Sequence, residues 1–180
     1  MTDGILKNAA GQNFTFEILL ASGASDSEKV VAIYTEALKR LGIVPTVTSV
    51  DSAAYKERTN TYAFDMAWYT RALSLSPGNE QMLYWGARGV TEEGSRNWMG
   101  MNVPAAEAMI TAMTSSRDQT DFVAATQALD RILTAGRYVI PVWYAQVSRI
   151  AYAKQLHHPE TIPLYGDWPG FQPEVWWYGE

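Results

Sequence analysis

FTFEILLASGASDSEKVVAIYTEALKRLGIVPTVTSV, residues 14–50, carries the pattern that decides the fold. Residues 14–20 are strand formers, with Phe14, Phe16, Ile18 and Leu20 alternating onto one face. The small residues 22–25 break that run, and Ser25 with Glu28 has the spacing of a capping box. A helix is expected from there to about Leu41, because Val30, Ile33, Tyr34, Ala37, Leu38 and Leu41 recur at helical spacing and Gly42 suits a left-handed C-cap. Residues 43–50 then alternate as a second strand. Two strands joined by so long a helix form a right-handed crossover and lie parallel, which makes this an α/β fold built from βαβ units, with a mixed sheet flanked by helices.

Moving outward, residues 51–58 read as a short amphipathic helix and 64–69 as a third strand. That strand ends abruptly in a polar segment closed by Pro77-Gly78. Open α/β sheets bind ligands beyond the carboxyl ends of their strands, so residues 69–79 are the first candidate for function. A helical turn is expected from Pro77 through Trp85, and an exposed loop over 86–94, broken by Gly86, Gly89 and Gly94. Pro104 opens a helix carrying Ala105, Ala108, Met109 and Ala112. The next helix, capped by Asp118 or Thr120 and ended by Gly136, buries Phe122, Ala125, Leu129, Ile132 and Leu133. Residues 138–144 and 147–152 look like paired strands, the first at an edge or bulge because Pro141 cannot donate to a ladder. Residues 153–180, with Pro159, Pro163, Pro169 and Pro173, form an extended aromatic tail with little regular structure.

The chain of 180 residues suits a single lobe. Its net charge of −5 and the lack of any basic run argue against nucleic acid. With no cysteine, thiolate nucleophiles, disulfides and thiolate metal sites are excluded. No apolar run approaches the roughly 20 residues of a membrane span, and no signal-peptide core opens the chain.

Catalytic signatures do not converge. His157-His158 lacks further ligands and reads as a solvated turn rather than a metal site. Asp118 with Asp121, and Glu92 with Glu93, are explained by capping and solvation. No serine elbow, Walker loop or dinucleotide fingerprint is present, so no cofactor is indicated. Aromatic residues remain: Trp68, Tyr69, Trp98, Trp143, Tyr144 and Trp176-Trp177-Tyr178, each readable as core or as groove wall. Arg71 and Asn97 stand beside such aromatics in expected loops, the combination of apolar wall and orienting polar group that pockets use. For Arg71 a surface salt bridge to Glu80 is the competing reading.

The ordered segments LGIVPTVTSVD, YAFDMAWYTRALSLSPGNE, SRNWMGMNVPAAEAMI, FVAATQALDRIL, YVIPVWYA and VSRIAYA resemble the carboxyl-terminal lobe of bacterial family 5 extracellular solute-binding proteins, the oligopeptide and dipeptide receptors of ABC importers. LSPGNE and the closing WWY look most like the branch that takes microcin C and oligopeptides. The resemblance runs from Phe14 to Tyr178 and implies one lobe of a type II periplasmic-binding-protein fold. It further implies a missing amino-terminal lobe, a leader sequence outside these residues, a periplasmic or extracytoplasmic location, a membrane permease as partner, and no enzymatic activity. The site it implies comprises Tyr69, Thr70, Arg71, Leu73, Asn97, Trp98 and Trp143, facing a peptide or peptide-like solute. One departure stands out: relatives hold the ligand's ammonium with an Asp shortly after this strand, whereas here no acid occurs between Asp65 and Glu80 and Arg71 stands there instead. Glu107 likewise occupies a place where relatives commonly carry Asp. Two other classes fit the residues: a carbohydrate-binding module using Trp176 and Trp177 as platforms, and a hydrolase with an unrecognised acid pair.

Overall fold

Ile18, Leu19 and Leu20 are each 2% exposed or less, so the centre of β1 (Glu17–Ala21) is covered on both faces. A strand sandwiched within a parallel sheet requires this continuous apolar run, where simple alternation would leave one face wet. In the computed structural model, which describes residues 4–71, 76–144, 149–161 and 175–179, β2 (Thr46–Val50) pairs parallel to β1 from Glu17 opposite Thr46 to Ala21 opposite Val50. On the other side β3 (Met66–Ala67) is also parallel, with Ile18 opposite Met66, giving the order β2-β1-β3. The third strand is therefore shorter than 64–69. The Trp68 N–H still donates to the Leu19 carbonyl at 3.0 Å, and beyond it the chain leaves the ladder.

The crossover helix α1 (Ser25–Lys39) starts from Ala24 with no side-chain cap. Ser25 lies inside the helix, one residue too late to cap it, so the expected box with Glu28 does not form. Its phase also differs from expectation. Val31 and Thr35 are buried, with Tyr34 packed beside the Ile18, Leu20 and Val31 cluster, while Ile33 and Leu41 face outward at 72% and 57% exposure. Gly42 follows the helix at φ +75°, where a Cβ would come within 2.6 Å of the Gly4 carbonyl oxygen. Only glycine fits that turn.

Helix α2 (Ser52–Asn60) is capped by Asp51, whose carboxylate accepts from the Ala53 and Ala54 amides at 2.9 and 3.0 Å. Near its far end Arg58 grips Glu17 in a partly buried ion pair and donates from Nε to the Ala63 carbonyl at 2.8 Å, tying the end of α2 to the start of β1.

The second core is helical. It contains α3 (Glu80–Trp85), a 3-10 turn (Ala87–Val90), α4 (Pro104–Ser115) and α5 (Gln119–Gly136). Trp85, Met101, Ala106, Ile110 and Leu129 form its buried centre, with Tyr138, Ile132 and Leu133 packed against it. The buried stripe of α4 is Ala106, Ile110 and Met113, while Ala105, Ala108 and Ala112 are exposed. Alanine tolerates either face, so it fixed no phase. In α5 the expected residues are inward, and Asp118 caps through the Thr120 and Asp121 amides at 2.8 and 3.2 Å.

Two compact units divide the chain, Met1–Ile140 and Pro141–Glu180. Residues 138–144 form no strand, and Val139, Ile140, Val142, Trp143 and Tyr144 are exposed; of the expected partner strand, 147–148 lie outside the described residues and 149–152 carry no ladder. Within the second unit β4 (Leu156–His157) pairs antiparallel with β5 (Trp177–Tyr178), and His157 stacks on Trp177. No described helix is long and apolar enough to cross a membrane.

Ile110→Ala removes a fully buried side chain from the helical core and is expected to cost roughly 2–5 kcal/mol in urea unfolding. The amides that Asp118 accepts hold its carboxyl below the usual range. A lowered folded-state value stabilises above the unfolded value and is lost as pH falls through the folded one. Asp118→Asn keeps a good cap, so it should flatten that acid limb in thermal melts between pH 2 and about 5 while leaving the neutral-pH midpoint nearly unchanged.

Candidate functional site

All three strands of the sheet run the same way, so their carboxyl ends, at Ala21, Val50 and Ala67, open onto one edge. Trp68 leaves that edge with its backbone held, since the Tyr55 hydroxyl of α2 donates to its carbonyl oxygen. Burial pushes the Tyr55 phenol up to about 12, with Tyr69 nearby adding to the shift, so it remains a neutral donor. Tyr69 follows, 48% exposed.

Tyr69 meets Trp98 edge to face with ring centroids 4.8 Å apart, and Tyr55 and Phe64 approach the same indole at 6.2 Å each. Trp98 is thus the hub of an aromatic wall that joins the sheet half of the first unit to its helical half. Its position is set by the residue before it. Asn97 is 0% exposed; its Nδ2 donates to the carbonyls of Gly86 at 3.0 Å and Met101 at 2.8 Å, and its Oδ1 accepts from the Met101 amide at 2.9 Å. The expectation that Asn97 touches a ligand is therefore corrected: its amide is consumed by the backbone and it acts by placing Trp98. Gly89 packs so close that a Cβ there would lie 2.7 Å from the Asn97 Cβ. Gly89 is accordingly buried, against the expected exposure of that loop.

Tyr62 closes the seam from the other side. It adopts φ 57°, uncommon for a bulky residue, and its hydroxyl meets the Gly89 carbonyl at 2.5 Å, the Glu92 carbonyl at 2.9 Å and Ser95 Oγ at 2.6 Å. The Gly94 amide adds a bond to the Asn60 carbonyl at 3.0 Å.

Arg71 lies over the Tyr84 ring, its guanidinium carbon 3.3 Å from the centroid. Arg96 donates to the same tyrosine's hydroxyl at 2.9 Å. Neither Tyr84 nor Arg96 was singled out from sequence, although Arg96 stands as close to Trp98 in the chain as Arg71 does to Tyr69. The salt bridge expected between Arg71 and Glu80 is not among the described ion pairs; Glu80 instead accepts from the Gly78 amide at 2.9 Å and Gln81 Nε2 at 3.1 Å. Burial raises the Tyr69 phenol, and neighbouring Tyr84 adds to that rise. Burial works the same way on Tyr84, but Arg96's hydrogen bond and charge, with Tyr69 and Arg71, outweigh it and hold Tyr84 low.

The structure thus gathers Tyr69, Arg71 and Trp98 with Tyr84 and Arg96, next to exposed Thr70. Leu73 lies outside the described residues, and Trp143, 55% exposed, belongs to the second unit. Among the described residues no group of three or more His, Asp or Glu could hold a metal ion. His158 instead meets Tyr152 and the Pro159 carbonyl.

No protein-family model matches the chain. It is 42% identical over 173 residues to the uncharacterised protein y4wM of Sinorhizobium fredii, covering 96% of this chain and 25% of that protein. It is 38% identical over 172 residues to the probable peptide-binding protein YejA of Agrobacterium fabrum, covering 96% of this chain and 27% of that one. The oligopeptide-binding protein AppA of Bacillus subtilis, solved with a nonapeptide, shares the fold with a TM-score of 0.67 at 21% identity, over 76% of this chain and 27% of that chain. Over nearly its whole length the chain is thus similar to part of a probable peptide-binding protein, and it shares the fold of part of an oligopeptide-binding protein. The chain spans about a quarter of the length of the curated relatives it matches.

Asn97→Ala would orphan the Gly86 and Met101 backbone groups, and a loss of roughly 2–4 kcal/mol is expected in urea unfolding. Asn97→Asp keeps the acceptor but turns an oxygen toward two carbonyls, so it should be at least as damaging. Near-UV circular dichroism should report loss of the Trp98 signal in both variants.

Proposed function

We propose that this chain is part of the solute-binding component of an ABC importer. In this reading it is the carboxyl-terminal lobe of a two-lobe receptor that captures a peptide or peptide-like solute outside the cytoplasmic membrane and presents it to a membrane permease. The observation that carries the reading is the Tyr69–Trp98 wall at the carboxyl end of β3, where an α/β sheet offers its ligand site and where polar side chains stand beside an exposed aromatic face. The peptide-binding description of the Agrobacterium YejA protein supports the solute class. Tyr69, Thr70, Arg71 and Trp98 are the proposed contacts in the first unit, with Leu73 and Trp143 retained as further candidates.

Capture follows from population shift. A solute that touches both lobes binds the closed form better than the open one, and only that difference in affinity can drive closure. Aromatic side chains suit the task because they give large contact area with little rotamer entropy lost.

The test uses the protein expressed from its complete gene. A mixed tetrapeptide library should be retained after desalting, and Trp98→Ala should weaken retention about tenfold, as loss of one aromatic anchor does. A folded protein that retains no peptide would contradict the proposed solute class.

A further inference from the structure

Arg71 and Arg96 converge on one tyrosine. The first lies on the Tyr84 ring at 3.3 Å and the second is bonded to its hydroxyl at 2.9 Å while standing 5.6 Å from the ring centroid. Two guanidinium groups gathered on one side chain repel each other, and protein surfaces normally relieve such a pair with a carboxylate. Here no carboxylate among the described residues comes within 4.0 Å of either guanidinium. Among the described residues Glu80 bears on Arg71 from longer range, its carboxylate being taken up by the Gly78 amide and the Gln81 side chain. Among the described residues Arg96 is bonded to Tyr84 and lies within electrostatic reach of Tyr69.

Tyr84 fixes both cations in place. The ring holds Arg71, and the hydroxyl takes one Arg96 N–H; among the described residues the remaining donors of both forks have no hydrogen-bond partner. Their neighbour is the exposed Tyr69 face against Trp98. An ammonium brought here would meet two like charges, whereas an anion would meet charge-assisted donors already oriented.

Resting on the solute-binding reading above, we infer that Arg71 and Arg96, held by Tyr84, seat a carboxylate of the bound peptide, with an apolar side chain beside it against Tyr69. The end of the solute that enters this corner is acidic. Its carboxylate comes either from the peptide's terminus or from an Asp or Glu side chain.

Three tetrapeptide libraries separate these cases on the protein expressed from its complete gene, with retained peptides quantified by mass spectrometry: free-acid peptides without Asp or Glu, the same peptides amidated, and amidated peptides containing Asp or Glu. Retention of the first library over the second by tenfold or more identifies a terminal carboxylate; retention of the third over the second identifies a side-chain one. In Arg96→Gln and Arg71→Gln that preference should fall toward one, and Arg96→Lys should restore part of it. Equal retention of amides and acids by the parent protein overturns the inference while the solute-binding reading stands. So does an Arg96→Gln protein that melts lower yet keeps the acid preference, which makes the pair a structural brace. Retention of none of the three overturns the peptide reading and this inference with it.

Discussion

The site depends on one buried carboxamide. Asn97 has no exposed surface, and a buried amide stripped of partners is costly, so the conformation in which Gly86 and Met101 satisfy it is strongly selected. That selection reaches Trp98 because the next residue has little freedom once Asn97 is fixed. Trp98 in turn supplies the surface on which Tyr55, Phe64 and Tyr69 meet. A polar interaction in the interior thereby sets the position of an aromatic wall at the surface.

The same seam links two cores that otherwise have separate origins. Ile18, Leu20 and Val31 are brought together by the crossover, and Trp85, Ile110 and Leu129 by helices further along the chain. Tyr62, through its bonds to the Gly89 and Glu92 carbonyls, and the Arg58–Glu17 pair fasten the carboxyl end of α2 to both sides. Tyr69 and Arg71 follow the strand in the first core, whereas Tyr84 and Arg96 come from the second half. The charge and shape of the corner therefore exist only when both halves are folded against the seam.

Much of this was legible in the sequence, and the exceptions have physical causes. The change from period two to helical period over residues 14–50 was enough for a parallel βαβ unit, because that pattern has few other folded solutions. Helix phase was harder. In α4 alanines occupy several faces, and in α1 a buried Thr35 replaces the exposed Ile33 in the inward stripe. Tyr69, Arg71 and Trp98 could be marked because aromatic and cationic residues adjoin a strand end or loop. Asn97 could not be separated from them, since its burial depends on carbonyls of Gly86 and Met101 that no local pattern reveals. Tyr84 read as one more residue of a short helix, and its partnership with Arg71 and Arg96 is a tertiary fact.

Hydrogen exchange on the complete protein, compared with and without the tetrapeptides it retains, measures the central claim most directly. Slower exchange of the amides at residues 69–71 and 95–101, with little change across the buried turns of α4, is the result this account predicts. Solute protection confined to other parts of the protein, leaving the Asn97–Trp98 loop and the end of β3 untouched, would contradict it.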